Sequence, residues 1–313
     1  QLLFRMRAFT QAELQIFFDP ASFAVPIVTV ASLELPMVRA GPRIAGEERA
    51  VLTRVSDLVS AGGLPEFYAY HLAHTYRFYR EVLGVPADRI RLWEKSEEER
   101  AFYNKIQFDV EVRLDSLGGF KEVGAVHYRG DYDLTRHSAG SGKDLSIAKP
   151  DGSGRLVPHV LELTFGVDRA LWALADVGIT LEGERTLWRL PSPLAPSTVA
   201  VFPLIRKLHT EFARHLATTL TQEGIRVDLD IAGTIGTLSA RADEVGTPFC
   251  VTVDGTTVDP ASPDHGTVTV RDRDSKEQRR VRPEELLPTL RAAQLPARPP
   301  PAEHPVPAGS PAE

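Results

Sequence analysis

The chain has 313 residues, of which 42% are hydrophobic and 25% are charged, and its formal net charge is −6. These proportions are typical of a globular protein, and the acidic balance excludes a surface that is basic overall, although local basic patches stay possible. The single cysteine, Cys250, excludes an internal disulfide framework and a cysteine-rich zinc site, and its place in the run PFCVTV predicts a buried thiol. No segment has the pattern of a secretory signal or a membrane span, so we expect a cytoplasmic protein without a membrane partner.

Residues 4–18 alternate between two kinds of side chain. The even positions are mostly apolar and the odd positions mostly polar, which predicts a strand with one buried and one solvated face. Arg5, Phe9 and Glu13 are spaced by four, so they would share the solvated face at intervals of about 13 Å. A cation, an aromatic ring and a carboxylate in a row suit a long ligand with a phosphate, a base and an ammonium group. A solvated sheet face with an incidental aromatic residue stays open as the alternative.

The next part of the chain mixes helical and strand patterns. Helices are predicted over 47–60, over 65–83 after Pro65, and over 96–105 with Ser96 as the N-cap. Strands are predicted over 89–95, 107–114, 119–128 and 159–165, and a helix follows from 166.

Composition changes at 182–197, a segment that is typical of a linker. Strands and helices alternate over 198–293, which predicts a separate α/β domain of roughly 100 residues. Residues 294–313 consist largely of proline and alanine, so we expect a disordered tail.

Several segments together resemble one family. The pattern Arg-x₃-Phe-x₃-Glu at 5–13 resembles the second arm of motif two of class II aminoacyl-tRNA synthetases, and the string RMRAFTQAE resembles glycyl-tRNA synthetases. In the order expected for that family follow EERAFYNKIQFDVEVRLDSLGGFKEVG, HYRGDYDL, GVDRALWAL and ARADEVGTPF. The resemblance covers about residues 1 to 293. It implies an α+β catalytic domain on an antiparallel sheet over 1–181, and an α/β anticodon-binding domain over 198–293.

The resemblance also implies roles for individual residues. Catalytic roles fall on Arg5, Arg129 and Arg169. ATP contacts fall on Arg5, Phe9, Glu122 and Arg169, with Glu122 as the Mg²⁺ ligand. Glycine contacts fall on Glu13, Glu162 and Thr164. Contacts to tRNA fall on Arg241, Asp243, Glu244, Arg271 and Arg273.

Some of these residues also have structural interpretations. Glu122 would serve equally as a strand-edge carboxylate paired with Lys121 or Arg129. Asp131 and Asp133 are expected to cap the following helix, and histidines 71, 74, 127, 137 and 159 are expected to be structural or surface residues.

The sequence departs from the family at three positions. Thr164 stands where the family usually has serine. Threonine keeps the hydroxyl, and its added methyl group narrows the pocket. Leu163 stands where the family has proline, and Ala8 where it has glutamate.

The implied reaction joins glycine to tRNA(Gly) through a glycyl-adenylate, with ATP and Mg²⁺ and a homodimeric enzyme. Catalysis would need positioning and charge stabilisation rather than a protein nucleophile. Motif one and the first arm of motif two would lie upstream of Gln1, so we expect the chain alone to be incomplete for catalysis. Two alternatives stay open: an inactive synthetase-like protein that binds nucleic acid, and a class II synthetase for another amino acid.

Overall fold

The computed structural model describes residues 4–149 and 152–295. The chain divides into two compact units. The first contains the described residues up to Tyr79 together with Ala87–Ala170, and the second contains Arg80–Pro86 and the described residues from Leu171 onward. The predicted tail over 294–313 lies outside the described residues except for Gln294 and Leu295.

An antiparallel-rich sheet forms the centre of the first unit. Its strands are β1 (Gln11–Phe18), β2 (Glu34–Val38), β3 (Val51–Arg54), β4 (Ile90–Glu94), β5 (Ile106–Leu114), β6 (Gly119–Gly130) and β9 (His159–Gly166). Within the described residues these seven strands lie in the order β1-β9-β6-β5-β4-β2-β3, and only the β2–β4 pair is parallel. A small ladder joins β7 (Ile147–Ala148) to β8 (Arg155–Leu156). This is the α+β class predicted from the sequence.

The helices that begin in the first unit are α1 (Ala40–Ile44), α2 (Val55–Ser60), α3 (Glu66–Arg77), α4 (Tyr132–Ser141) and α5 (Val167–Gly178), the last of which continues into the second unit. Helix α3 buries Tyr68, Leu72 and Tyr76, which follow each other at intervals of four and so share one face of the helix. The hydroxyl of Tyr68 donates to the carbonyl of Val126 on β6 at 2.8 Å, which fixes α3 against the sheet.

The central strands have one apolar and one polar face. On β5, Phe108, Val110 and Val112 are fully buried, whereas the alternate positions carry Asp109 and Glu111. The polar face is where the predicted site residues of β6 and β9 lie.

Three local predictions for the first unit were wrong. The opening strand begins only at Gln11, and it lies at the edge of the sheet, so Leu14 on its expected buried face is 53% exposed. Residues 47–60 divide into β3 and α2 rather than forming one helix. Residues 96–105 form turns rather than a helix, although the Glu99 carboxylate accepts from the Ser96 backbone N–H at 2.9 Å as expected for a cap.

The second unit contains a mixed sheet between helices. Its elements are the hairpin β10 (Ile179–Glu182) and β11 (Arg185–Trp188), strands β12 (Val199–Pro203), β13 (Val227–Leu229), β14 (Phe249–Val253), β15 (Val268–Asp272) and β16 (Gln278–Val281), and helices α6 (Arg206–Gln222), α7 (Ile235–Glu244), α8 (Gly255–Val258) and α9 (Pro283–Ala293). In the described residues the sheet order is β13-β12-β14-β15-β16, with β13, β12 and β14 parallel. Strand β11 falls within the predicted linker 182–197, whose bounds stay a prediction.

Alternate residues of the parallel strands face different helices. Val199 and Val251 pack with α6 and α9, whereas Ala200 and Cys250 pack with α7. Cys250 is 2% exposed, which confirms the predicted buried thiol. Among the described residues, none of the helices combines the length and the apolar character needed to cross a bilayer.

Candidate active site

A cavity of about 510 Å³ opens in the first unit beside the C-terminal end of β9. It is lined by five of the residues predicted for ATP, glycine or catalysis: Arg5, Phe9, Glu122, Thr164 and Arg169. These residues come from the segment before β1, from two strands and from the start of α5. The fold therefore assembles side chains that are up to 164 positions apart in the sequence around one space.

Hydrogen bonds to the start of α5 hold the segment before β1 at this cavity. The backbone N–H of Thr10 donates to Oδ2 of Asp168 at 2.6 Å, and the Val167 N–H donates to the Thr10 carbonyl at 3.0 Å. Arg5 and Phe9 precede the strand, so the prediction that they share a strand face with Glu13 was wrong. They reach the same cavity because the segment turns there, and Phe9 remains 60% exposed.

Arg169 and Glu122 form an ion pair on the cavity wall. Nη1 of Arg169 lies 3.1 Å from Oε1 of Glu122 and also donates to its backbone carbonyl at 3.1 Å. The alternative pairing of Glu122 with Lys121 or Arg129 does not form among the described residues. Burial and the nearby Asp109 carboxylate raise the pKa of Glu122, while the Arg169 guanidinium opposes this shift. A further cation near Glu122 would therefore stabilise its ionised form.

The residues predicted to bind glycine lie side by side on β1 and β9. Glu13 is the register partner of Thr164, and Gln15 is the partner of Glu162. Nε2 of Gln15 lies 3.4 Å from Oε2 of Glu13 and 3.2 Å from Oε2 of Glu162, so this amide bridges the two carboxylates. The Thr164 hydroxyl donates to Oε1 of Glu162 at 3.3 Å.

Arg129 joins the same group from β6. Its Nη1 donates to Oε2 of Glu162 at 2.6 Å, and its Nε donates to Asp133 at 2.7 Å. Glu162 is 8% exposed, so this cation compensates a carboxylate that is largely removed from water. Asp133 therefore pairs with Arg129, and Asp131 occupies the N-cap of α4 without a side-chain cap hydrogen bond, so the capping prediction was wrong for both residues.

A chain of hydrogen bonds under the site was missed in the sequence. Asn104 Nδ2 contacts Nδ1 of His127 at 3.0 Å and donates to Gln107 Oε1 at 2.9 Å, and Gln107 Nε2 donates to Asp109 at 2.9 Å. Burial lowers the pKa of His127, so at neutral pH its Nδ1 accepts from Asn104. His127 is the register partner of Glu162, and its spacing of two from Arg129 was the available signal.

Gln15 and Asp168 were also missed as site residues. Gln15 stands two positions after Glu13, which puts both on one strand face. Asp168 stands directly before Arg169 in the quoted GVDR string.

The residues predicted to contact tRNA divide into buried and exposed groups. Arg271 forms a two-pronged pair with Asp243 at 3.0 and 2.9 Å, and Asp243 is 1% exposed. Arg273 is 3% exposed and donates to the carbonyls of Leu190 and Gly246 at 2.8 and 2.7 Å. These contacts give all three residues structural roles in the second unit.

Arg241 and Glu244 are the exposed members of that group. Arg241 pairs with Asp230 at 2.9 Å, and its side chain is 53% exposed. An RNA phosphate in contact with this guanidinium would compete with Asp230, and an ion pair of such an exposed arginine is weak.

Comparison with known proteins agrees with both units. Residues 198–293 match the family model described as an anticodon binding domain. Glycine–tRNA ligases of Thermococcus kodakarensis and Methanothermobacter thermautotrophicus are each 31% identical over 93% of this chain. The enzyme of Aeropyrum pernix has the same identity over the same share. The chain spans 62 to 63% of the length of these relatives. The chain is therefore a homologue of the glycine–tRNA ligases, and its residues 198–293 are an anticodon binding domain.

Proposed function

We propose that the protein attaches glycine to tRNA(Gly) through a glycyl-adenylate. The observation that supports this most directly is that the residues assigned to ATP and those assigned to glycine adjoin each other. Thr164 lines the cavity that contains Arg5 and Arg169, and it is also the register partner of Glu13. A nucleotide in the cavity would therefore place its α-phosphate beside the carboxylate of an amino acid held on β9.

The proposed glycine site provides opposite charges for both ends of the substrate. Glu162 accepts from Arg129, Gln15 and Thr164, and an ionised carboxylate has about four acceptor positions, so capacity remains for an ammonium group. Glu13 provides a second negative charge next to it. Arg129 is placed to attract the substrate carboxylate, since its guanidinium has five N–H donors.

The proposed ATP site uses the cations and the aromatic ring of the cavity. Arg5 makes no ion pair with any described residue, which leaves its charge available for a phosphate. Arg169 would contact the γ-phosphate, and Phe9 would stack on the adenine. Fixed cations at positions where charge develops stabilise the transition state, because they need no reorganisation during the reaction.

We propose Glu122 as the Mg²⁺ ligand. The described residues contain no cluster of three or more His, Cys, Asp or Glu side chains that could hold a metal. That fits Mg²⁺, which is usually bound through one or two carboxylates together with substrate phosphates and water. When bound, the ion would neutralise phosphate charge, and Glu122 would exchange part of its contact with Arg169 for the metal.

Binding of tRNA is proposed for the anticodon binding domain, through exposed groups such as Arg241 and Glu244. We also propose a cytoplasmic location and a homodimeric assembly. The exposure of Val51 and Leu52 on the edge strand β3, 58% and 65%, supports burial of that edge in an assembly.

The test is amino-acid-dependent exchange of pyrophosphate into ATP by the natural protein that contains this chain. Glycine should support exchange, while alanine and serine should not, since we expect the Thr164 methyl group to narrow the space left for a substrate side chain beside Glu13 and Glu162. Equal exchange with alanine or serine would refute the glycine assignment. Glycine-independent tRNA binding without any exchange would favour the inactive nucleic-acid-binding alternative.

A further inference from the structure

The wall of the cavity proposed for ATP contains a β-bulge. Between β5 and β6, Val110 is the register partner of Gly124. The next residue of β5, Glu111, is the partner of Glu122. Val123 is therefore an extra residue on β6, and it lines the cavity together with Glu122 and Gly124. Bulges are common next to active sites, where they change the direction of a side chain. The direction of the Glu122 carboxylate thus depends on the conformation of this bulge.

Two side chains from helical segments hold the backbone of the bulge. The carbonyl of Glu122 accepts from Nη1 of Arg169 at 3.1 Å. The carbonyl of Val123 accepts from the hydroxyl of Tyr79 at 3.1 Å. Arg169 is also assigned to the γ-phosphate, so its contact with Glu122 changes when a nucleotide binds. Tyr79 is the support that a bound nucleotide does not engage.

Tyr79 reaches the bulge from a π-helical turn. This turn spans Phe78–Val82 directly after α3, and such turns are rare and frequently lie at functional sites. Tyr79 is fully buried, so its hydroxyl contacts the strand from the protein interior. A methyl group at Gly124 would lie 2.6 Å from this hydroxyl oxygen. Glycine at position 124 therefore allows the close approach of Tyr79 to the strand.

Tyr79 also contacts the other strand of the cavity wall. Its ring stacks with that of Phe165 at a centroid distance of 6.2 Å, and Phe165 lies between Thr164 and Gly166, which both line the cavity. Burial and the Glu122 carboxylate raise the pKa of Tyr79, so the hydroxyl keeps its proton and donates at neutral pH. One buried side chain thus fixes the strand that carries Glu122 against the strand that carries Thr164.

We propose that Tyr79 is a positioning residue of the ATP site, which holds the Glu122 carboxylate in the direction that nucleotide-bound Mg²⁺ requires. This role rests on the proposed function, in which Glu122 binds that ion. Mg²⁺ accepts little deviation from octahedral geometry, so the direction of a ligand oxygen affects its affinity. When Glu122 turns from Arg169 to the ion, the hydrogen bond from Tyr79 to Val123 stays and keeps the bulge in place.

The test compares Tyr79→Phe with Tyr68→Phe in the natural protein that contains this chain. Tyr68 is the matched control, because it is also fully buried and its hydroxyl also donates to a carbonyl of β6, that of Val126, outside the cavity. Both substitutions remove one buried hydrogen bond and should lower the free energy of unfolding alike. Only Tyr79→Phe should weaken the binding of ATP in the presence of Mg²⁺, by about three- to tenfold, which corresponds to one hydrogen bond.

Binding of AMP separates positioning of the metal ligand from general damage to the cavity. AMP has no β- or γ-phosphate for Mg²⁺ to bridge, so both variants should bind AMP as the parent protein does. In pyrophosphate exchange, Tyr79→Phe should raise the KM for ATP and leave the KM for glycine unchanged. A loss of AMP affinity as large as the loss of ATP affinity would show that the cavity has collapsed and would exclude a positioning role.

A double-mutant cycle tests whether Tyr79 acts through Glu122. In Glu122→Gln the carboxylate is already absent, so addition of Tyr79→Phe should cause no further loss of ATP affinity in the presence of Mg²⁺. An equal loss in both backgrounds would contradict the proposal, and so would an unchanged ATP affinity in Tyr79→Phe. If Tyr79→Phe is unfolded by circular dichroism while Tyr68→Phe is folded, the hydroxyl serves the fold alone and the proposal is overturned.

Failure of the glycine assignment is separable from failure of this proposal, because binding of ATP and AMP requires no amino acid. Exchange with an amino acid other than glycine, together with ATP binding that depends on Tyr79 and Mg²⁺, would refute the glycine assignment and support the positioning role.

Discussion

Arg129 on β6 and Glu162 on β9 form the closest ion pair of the candidate glycine site, with Nη1 and Oε2 2.6 Å apart. The Arg129 side chain is 22% exposed and that of Glu162 is 11% exposed, so water screens this pair less than a surface pair. Removing either partner leaves the other charge without compensation in a largely buried position.

We therefore expect Arg129→Ala to reduce kcat/KM for glycine in pyrophosphate exchange by about 10²–10³, a loss typical of one fixed electrostatic contact. Arg129→Lys should recover only part of it, because an ammonium cannot donate in two directions like a guanidinium. Arg155→Ala is the control, since Arg155 forms an exposed pair with Asp144 at 3.2 Å and does not line the cavity. An Arg129→Ala variant as active as Arg155→Ala would exclude a role in glycine binding.

The Arg169 side chain lines the cavity proposed for ATP and is 33% exposed. Arg169→Ala should raise the activation free energy of the exchange reaction by about 2–3 kcal/mol, since hydrogen bonds to charged groups have this magnitude. The free energy of unfolding, measured in denaturant, should change by under about 1 kcal/mol, because the side chain of Glu122, the partner of Arg169, is 49% exposed. An unchanged KM for ATP and an unchanged rate would show that Arg169 serves only the ion pair with Glu122.

The second unit has its own sheet and core, so residues 194–293 are expected to fold alone and to bind tRNA weakly, with affinity that falls as salt rises. The structure refines the bounds of the fragment. Arg273 donates to the Leu190 carbonyl at 2.8 Å, and the Gln294 side chain accepts from Thr198 at 2.8 Å. Residues 189–295 should therefore be more stable than 198–293 by about 1–3 kcal/mol in urea titrations. Equal stability of the two fragments would contradict the anchoring role of Arg273.

Asp243 and Arg241 lie two positions apart but should respond differently to substitution. Asp243→Ala leaves the largely buried Arg271 guanidinium without its partner and should destabilise the protein by about 3–5 kcal/mol. Arg241→Ala removes an exposed pair and should cost under about 1 kcal/mol. If Arg241 contacts RNA, its removal weakens tRNA binding and reduces the salt dependence, which filter binding at several salt concentrations measures.

Asp254 should make the stability of the second unit depend on pH in the acid range. Burial alone would raise its pKa, but hydrogen bonds from Arg280, Thr256 and Thr257 outweigh burial and lower the pKa to about 2. A lowered folded-state pKa means that the stabilisation is present above the unfolded value near 3.8 and is lost as pH falls toward about 2. Asp254→Asn should thus lower the free energy of unfolding at pH 6 by about 1–3 kcal/mol, with a smaller difference near pH 2. Asp228→Asn, an exposed change on β13, is the control, and a difference that stays constant with pH would contradict the assignment.

The spacing of apolar residues in the sequence determined those helices and strands in which one face of the element is buried. Helix α3, the β5–β6 hairpin and the alternation of strands and helices after residue 198 follow from the spacing of apolar residues, because that spacing decides which face can be buried. The motif strings also determined the residue types of the site, including Glu162, Thr164 and Arg169.

The tertiary structure alone decided how those residues meet. Register across β1 and β9 places Glu13 beside Thr164, and a shift of one residue would have turned both away from each other, although the local pattern would be the same. Long-range hydrogen bonds of Thr10 with Asp168 and Val167 hold the segment containing Arg5 and Phe9 away from the strand direction, and such bonds leave no periodic signal. Burial likewise distinguishes the roles of Arg273 and Arg241. Both are arginines in polar stretches of the sequence, but folding brings the Leu190 carbonyl to Arg273 and leaves Arg241 in an exposed ion pair.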